Sequence, residues 1–216
     1  MYITTGDAHA SDTYSIGILK SNDGGQTWDT TGMQFGITDD KMVNKVIIHP
    51  TYTDSLFAVT DKNIKISADG GQTWSNALTS SGSTMIGRFR DIEFKPNNPN
   101  ILYAVKQTTG SSEVYKSTDR GLSWSSAMNG ISLVNRNRPL LAVTPANPDV
   151  VYVLFCKNDY GFHGIYKSTD NADSWTLQSD SPNILGRSTD GTSTGGQSWY
   201  DLSLGVSTED EDLLYV

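Results

Sequence analysis

Short apolar segments recur in pairs along this chain, and each pair is joined by a linker rich in Pro, Asn and Asp. The pairs are 46–49 with 56–59, 92–94 with 101–105, and 140–143 with 150–154. A third strand-like segment follows each pair after a loop, at 64–66, 114–116 and 165–167, and the segment 16–20 matches it near the start of the chain. Linkers of this composition set tight turns between strands. The pattern therefore predicts repeated units of strand A, turn, strand B, loop and strand C.

An eight-residue motif follows each strand C and precedes a strand D. It occurs at 21–28, 67–74, 117–124 and 168–175, and the four copies align without gaps as Ser-x-Asp-x-x-x-Ser/Thr-Trp. Their tryptophans are 46, 50 and 51 residues apart. This spacing is close to the period of roughly 40–50 residues that is typical of a four-stranded propeller blade.

Four short antiparallel strands per unit cannot bury both faces alone, whereas units stacked around an axis cover one another. The sequence therefore predicts an all-β fold, a β-propeller of four-stranded antiparallel blades with about four and a half blades. The expected blade units are 1–38, 42–79, 90–128, 139–179 and a partial unit 200–216. Because the chain begins at a strand B and ends inside another strand B, we expect a fragment of a larger propeller that continues in both directions.

The motif residues are predicted to have structural tasks. The aspartates are expected to accept backbone N–H hydrogen bonds and close an Asx-type turn, and the glycines to take a positive φ. We expect each hydroxyl before tryptophan to bond back across the loop, and each indole to be buried beside the next blade. The positions are Asp23, Gly25, Trp28, Asp69, Gly71, Trp74, Asp119, Gly121, Trp124, Asp170 and Trp175. Ala172 replaces glycine in the fourth copy, which leaves that loop geometry open.

Composition and charge exclude several classes of partner. The formal net charge of −8 argues against a surface that binds nucleic acid through its phosphates. No segment approaches the roughly 20 apolar residues of a membrane span. Cys156 lies in an apolar run and is interpreted as a buried residue rather than a nucleophile. The three histidines are far apart and each motif offers few carboxylates, so we expect neither a metal nor a cofactor.

The long connections all lie between strands B and C or between strand D and the next strand A. In a propeller these connections share one face, and long loops on a rigid scaffold are where binding usually resides. Arginines in the D–A connections would grip a carboxylate, sulfate or acidic glycan, or alternatively pair with Asp91 and Glu93. Nearby aromatic residues would stack on sugars or peptide side chains, or anchor the loops. The candidate ligand-binding residues are Arg88, Arg90, Arg136, Arg138, Arg187, Tyr160, Trp199 and Tyr200.

The motif is similar to the Asp-box, or bacterial neuraminidase repeat, Ser/Thr-x-Asp-x-Gly-x-Ser/Thr-Trp, and three copies match it fully. Asp-boxes occur in sialidases, xyloglucan-degrading glycoside hydrolases, the photosystem II assembly factor and sortilin receptors. Segments 5–7, 12–21 and 199–207 and the repeated Tyr-Lys-Ser-Thr-Asp most resemble sortilin-like propellers of large secreted bacterial proteins, often from Bacteroidetes. The resemblance implies a secreted or cell-surface protein with its export signal outside this segment. Such proteins often carry a C-terminal domain for type IX secretion.

These features predict a non-catalytic extracellular or cell-surface interaction module that binds a protein or carbohydrate ligand, including an anionic one, through its B–C and D–A loops. The alternative is a glycoside hydrolase of sialidase or xyloglucanase type. A sialidase would need an arginine triad, a tyrosine assisted by glutamate and an aspartate acid, and a xyloglucanase would need two carboxylates flanking the sugar bond. No catalytic residue is assigned, and Asp7 and Asp201 are weak candidates by location.

Overall fold

Eighteen short strands form the regular structure of the computed structural model, which describes residues 1–7, 15–39, 41–200 and 202–216. The first sheet contains β1 (Tyr2–Thr4), β2 (Gly17–Lys20) and β3 (Asp29–Gln34). The second contains β4 (Val43–Ile48), β5 (Leu56–Thr60), β6 (Ile64–Ser67) and β7 (Ser75–Asn76). The short strand β8 (Leu78–Thr79) leads to the third, which contains β9 (Arg88–Phe94), β10 (Leu102–Gln107), β11 (Glu113–Ser117) and β12 (Ser123–Ser126).

The fourth sheet has the same order of strands along the chain as the second and third. It contains β13 (Asn137–Val143), β14 (Val151–Cys156), β15 (Phe162–Ser168) and β16 (Thr176–Ser179). A two-stranded sheet of β17 (Gly205–Val206) and β18 (Leu214–Tyr215) follows. Apart from β8, which pairs with β12 in parallel, each sheet is an antiparallel meander of consecutive strands, and β4, β9, β13 and β17 are the A strands. The described residues contain no helix that is long and apolar enough to cross a membrane.

The middle strands of the sheets supply the core. All residues of β5 and of β14 are buried, because a blade in the middle of a stack is covered on both faces. One apolar cluster joins the second and third sheets through Phe57, Phe89 and Trp124, and another joins the third and fourth through Val105, Phe155 and Trp175. The A strands β4, β9, β13 and β17 lie successively beside one another. This radial stacking is that of a partial β-propeller and confirms the fold that the sequence predicts.

Neighbouring blades are also joined by backbone hydrogen bonds at their outer strands. Gly32 N donates to Gly71 O at 2.7 Å, and Leu78 N donates to Leu122 O at 3.1 Å. Between the third and fourth blades the direction is reversed, since Trp175 N donates to Asn129 O at 2.9 Å. In each case strand D, or the chain just after it, meets the Asp-box region of the next blade. At the second joint this contact becomes a parallel pairing of β8 with β12.

Hydrogen bonds between connections define two faces of the propeller. On one face the second, third and fourth Asp-boxes each contact the A–B turn of their own blade, as when Gly70 N donates to Asp54 O at 2.9 Å; we call this the Asp-box face. On the other, D–A connections contact B–C turns, as when Gly87 N donates to Lys62 O at 2.9 Å. We call this second face the loop face, and it carries the candidate site.

Candidate functional site

The four Asp-boxes share one network of hydrogen bonds. In the first box, Ser21 Oγ donates to Asp23 Oδ1 at 2.8 Å, and Gly25 N donates to Ser21 Oγ at 2.8 Å. Thr27 N donates to Asp23 Oδ1 at 2.9 Å, and Thr27 Oγ1 donates to Asp23 Oδ2 at 2.5 Å. The boxes centred on Asp69, Asp119 and Asp170 repeat these contacts. With all these donors directed at it, the carboxylate closes the corner between strands C and D.

These donors favour the charged form of the carboxylates. The hydroxyl and backbone N–H of Thr73, followed by the hydroxyl of Ser67, lower the pKa of Asp69 to about 2. Ser174 has the largest effect on Asp170, and the pKa of that carboxyl also falls to about 2. The sequence analysis predicts no role for the first serine of each box, although its presence in all four copies is a signal that it belongs to this network.

The fourth box keeps this geometry despite its alanine. Ala172 takes a φ of 65°, and its N–H donates to Ser168 Oγ at 2.8 Å, as the glycines do in the other boxes. An alanine in the left-handed region costs about 1–2 kcal/mol, which the intact network offsets. The loop geometry that the sequence left open is therefore that of a regular Asp-box.

The tryptophans of the third and fourth boxes pack against the preceding blade, so for Trp124 and Trp175 the expectation that the indole lies beside the next blade is wrong. Trp175 Nε1 donates to Ala127 O, which belongs to the preceding blade, at 2.9 Å. Trp124 is buried with Phe57 and Val59 of the preceding blade. The indole thus packs on the same side as the backbone hydrogen bond described above, which links the Asp-box region to strand D of the preceding blade. Trp28 and Trp74 are half-buried.

A first cavity on the inner side of the blades brings together some of the predicted arginines. This inner-strand cavity has a volume of about 250 Å³, and it is lined by residues of β4, β9, β13 and 202–204. Arg90 and Arg138 both line it. Arg90 Nε donates to Gln107 Oε1 at 2.5 Å, and Arg138 Nη1 donates to Ser198 O at 3.0 Å. Burial, together with the charges of Arg88 and Arg138, lowers the pKa of Arg90.

The acidic residues beside these arginines are held by a lysine. Lys45 Nζ lies 2.7 Å from Asp91 Oδ1 and 2.6 Å from Glu93 Oε1. Asp91 Oδ2 also accepts a hydrogen bond from Leu141 N at 3.1 Å, which ties adjacent A strands together. The sequence analysis considers Asp91 and Glu93 as partners for the arginines. It does not predict their ion pairs with Lys45, because these join strands of two different blades.

Of the other three predicted arginines, Arg88 lies on β9 close enough to Arg90 for its charge to affect that pKa, and the remaining two lie elsewhere. Arg136 is buried, where its Nε donates to Ser112 O at 2.8 Å and its Nη1 donates to Ser132 O. Since both acceptors are carbonyls of the loop face, Arg136 braces those loops. Arg187 is exposed and lines a second cavity. The five arginines therefore do not form one cluster.

The second cavity brings together three predicted residues, Tyr160, Arg187 and Trp199, with Asp159. We call it the Trp199 pocket; its volume is about 360 Å³ and residues 194–196 complete its lining. Trp199 is 45% exposed, and the ring of Tyr200 packs edge-on against it with 4.1 Å between centroids. An exposed aromatic surface beside one guanidinium and one carboxylate suits a ligand with both apolar and polar groups.

Hydrogen bonds fix the loops that form the Trp199 pocket. Asn183 Nδ2 donates to Gly195 O at 2.8 Å, while Asn183 Oδ1 accepts from Phe162 N at 2.8 Å. Ser198 Oγ donates to Tyr160 O at 2.7 Å. The long D–A connection is thus attached to the B–C turn of its own blade. Asn183 and Ser198 were not identified from the sequence, because loop asparagines and serines are common and most of them only form turns.

Several candidates from the sequence lie apart or outside. Asp7 follows β1 in the first B–C connection and is not among the residues lining the Trp199 pocket. Asp201 lies outside the described residues. Cys156 is buried, and burial raises the pKa of its thiol to about 11. Within the described ranges, no group of three or more His, Cys, Asp and Glu side chains is placed to hold a metal ion.

Comparisons with known proteins agree with this architecture. The family model Sortilin-Vps10, described as sortilin, neurotensin receptor 3, matches residues 16–137 and 62–191. No curated protein matches the sequence.

Three solved structures illustrate the likeness of the fold. The GH74 xyloglucanase from Xanthomonas campestris superposes with a TM-score of 0.70 at 13% identity, over 99% of this chain and 32% of that one. The GH74 enzyme of Niastella koreensis gives 0.65 at 20% identity, over 94% and 31%. YCF48 bound to a D1 peptide gives 0.52 at 14% identity, over 95% and 62%. The chain thus spans about a third of the length of those two GH74 enzymes, and the similarities show the fold alone.

Proposed function

The chain belongs to the Sortilin-Vps10 family, and on that basis we propose that it is a non-catalytic interaction module of a secreted or cell-surface protein. The module takes protein or glycan ligands on its loop face. The observation that carries the proposal is the Trp199 pocket, where Trp199, Tyr160 and Arg187 line one cavity of about 360 Å³. The blade units 1–38, 42–79, 90–128, 139–179 and 200–216 serve as its scaffold.

The pocket is suited to binding because its loops are already ordered. Asn183 and Ser198 tie the D–A connection to the chain around Tyr160. A ligand that meets fixed loops loses less of its binding free energy to ordering them. Exposed Trp and Tyr rings are also among the side chains that contribute most to binding at interfaces.

Anionic ligands are favoured by the distribution of basic side chains. Arg187 lines the pocket, and Arg88, Arg90 and Arg138 lie together toward the inner strands. The mutual repulsion of these arginines is relieved when an anion approaches, and a positive region on an acidic protein steers anions toward it. We propose that the ligand carries a carboxylate or sulfate group.

The test is a binding screen with four defined probes: a sialylated oligosaccharide, a xyloglucan oligosaccharide, heparin and an acidic peptide. We expect at least one to bind, and Trp199→Ala to weaken it about 10–30-fold, the loss typical of a buried aromatic anchor. Tyr52→Ala is the matched control, because Tyr52 is 61% exposed in an A–B turn on the Asp-box face. If no probe binds, or if both variants bind as the unmodified protein does, the proposal is wrong.

A glycoside hydrolase remains the second candidate, because Asp159 places a carboxylate in the same aromatic-lined cavity. Hydrolysis would need a second carboxylate across the sugar bond, a role for which the sequence offers Asp201. The same oligosaccharides, incubated with the protein and separated by chromatography, test this activity. Turnover that is lost in Asp159→Asn, with binding retained, would favour the hydrolase over the binding module.

A further inference from the structure

One Asn-Gly pair occurs in this sequence, Asn129-Gly130, at the start of the D–A connection that follows β12. The two residues form the centre of a turn, because Ile131 N donates a hydrogen bond to Met128 O at 3.0 Å. Gly130 has a φ of 93°, as the second central residue of a type II turn requires. Both residues are exposed, so water has access to the pair.

The joint between the third and fourth blades requires this glycine. Asn129 O accepts a hydrogen bond from Trp175 N at 2.9 Å, and a Cβ added at Gly130 would collide with Trp175 O. A side chain after asparagine shields the next backbone nitrogen from the amide carbon Cγ, whereas glycine leaves that nitrogen open. The packing of the two blades therefore places an unshielded backbone nitrogen next to Asn129.

Few contacts hold the side chain of Asn129 in place. Among the described residues this side chain makes one hydrogen bond, from Nδ2 to Asp173 O at 3.3 Å, which is longer than a typical N–H···O bond. The N–H of Gly130 donates to no acceptor within the described ranges. Neither Asn129 Cγ nor Gly130 N is therefore held by a strong contact.

Three Asp-Gly pairs, in which the backbone nitrogen can attack the side chain in the same way, are protected by hydrogen bonds. They begin at Asp23, Asp69 and Asp190, and in each the N–H and hydroxyl of a nearby threonine donate to the carboxylate. These bonds hold the pKa of all three carboxyls below its usual range, so the groups stay ionised at neutral pH. A carboxylate is a poor electrophile, whereas the amide of Asn129 carries no charge.

We propose that Asn129 is a site of spontaneous deamidation through a cyclic imide, and that its products loosen the joint between the third and fourth blades. Gly130 N attacks Asn129 Cγ and forms a new C–N bond. The bond from Cγ to the side-chain nitrogen breaks, and ammonia leaves with the proton of Gly130 N. Water then opens the imide at either carbonyl, which gives aspartate or isoaspartate. The reaction consumes one water, releases one ammonia and involves no oxidation or reduction.

Both products weaken contacts at this joint. Each removes the donor that Asn129 Nδ2 supplies to Asp173 O. Each also adds a negative charge near Asp173, whose carboxylate is paired with Lys116 Nζ at 2.7 Å. Isoaspartate adds one carbon to the main chain before Gly130, which disturbs the close fit of this glycine against Trp175 O. The loss therefore falls on the backbone contacts that join the two blades.

The experiment is incubation of the whole chain at mildly alkaline pH and body temperature, with peptide mapping by mass spectrometry at intervals. Methyl transfer by an isoaspartate methyltransferase identifies the isoaspartate product. Asn135 is the internal control, because it is exposed in the same D–A connection but precedes an arginine. We expect Asn129 to convert at least ~10-fold faster than Asn135, a difference of about 1.4 kcal/mol in activation free energy.

Urea unfolding tests the effect on the joint. The midpoint of the incubated protein should fall below that of fresh protein at constant slope. Asn129→Gln keeps the amide but disfavours ring closure, and Asn129→Ser has no amide, so the midpoints of both variants should not change with incubation. Three results would each overturn the proposal: conversion of Asn129 no faster than that of Asn135, an unchanged midpoint in converted protein, or an equal fall in the two variants.

Discussion

Alanine in place of the Asp-box glycine is predicted to cost different amounts in the three boxes that contain one. All three glycines have a positive φ, between 76° and 93°. An added Cβ at Gly25 meets its nearest neighbour at 3.6 Å, which is ordinary contact. At Gly71 it would lie 3.3 Å from Leu56 Cδ1, and at Gly121 it would lie 2.6 Å from Phe57 Cε1. The added methyl group is therefore crowded to three different degrees on nearly the same backbone.

The cost has two parts. Holding an L-residue in the left-handed region takes about 1–2 kcal/mol, and Ala172 at φ 65° shows that the fold accepts this part. Overpacking a filled core adds about 1–3 kcal/mol. We therefore expect about 1–2 kcal/mol for Gly25→Ala and about 2–5 kcal/mol for Gly121→Ala, with Gly71→Ala between them.

Urea unfolding followed by tryptophan fluorescence measures these differences as shifts of the midpoint at constant slope. A second substitution tests the cause at the third box: Phe57→Leu removes the clashing ring edge, so it should recover part of the loss in Gly121→Ala, with a coupling of about 1–2 kcal/mol in a double-mutant cycle. Equal losses at all three glycines, or an absence of coupling, would refute the reasoning.

Two further predictions concern charge. Because hydrogen bonds lower the pKa of Asp170 to about 2, below its unfolded value of roughly 3.9, its contribution to stability is complete above about pH 4 and is lost as pH falls toward 2; in Asp170→Asn the unfolding midpoint should fall less over that interval. Lys45→Met leaves Asp91 and Glu93 unpaired and should cost about 1–3 kcal/mol at pH 7, whereas Lys41→Met, at an exposed pair, should cost under ~1 kcal/mol. Equal urea midpoints for the two lysine variants would contradict the second prediction.

The Asp-box spacing made the fold predictable from the sequence. Strands B and C, such as β14 and β15, follow from apolar segments bounded by turn residues, and the tryptophan period gives the blade. The side on which each indole packs could not be read in this way, because the period is the same for packing against either neighbour. The pairing of β8 with β12 was also missed, since a two-residue strand has too few positions to show an alternating pattern.

The candidate site was predictable only in outline. Long loops and their Tyr160, Arg187 and Trp199 were visible in the sequence, and the structure brings these three residues to one cavity. The guanidinium of Arg136 instead donates to the carbonyls of Ser112 and Ser132, which lie 24 and 4 residues away in the sequence, and so it braces the loops. Such contacts depend on how loops fold back, and neither composition nor spacing encodes that path. The ion pairs of Lys45 with Asp91 and Glu93 of the next blade could not be predicted for the same reason.

The joint between blades has a consequence for how such sequences change over time. Gly32 and Leu78 join the next blade through main-chain N–H groups, which every residue except proline can donate. At Gly32 the approach is so close that an added Cβ would lie 1.9 Å from Gln72 O, so this joint requires glycine, whereas the joint at Leu78 does not depend on the side chain. A module can be copied or replaced while its coupling to the neighbour persists. Joints made by the main chain are compatible with architectures that superpose at a TM-score of 0.70 with only 13% of residues identical, a likeness of fold alone.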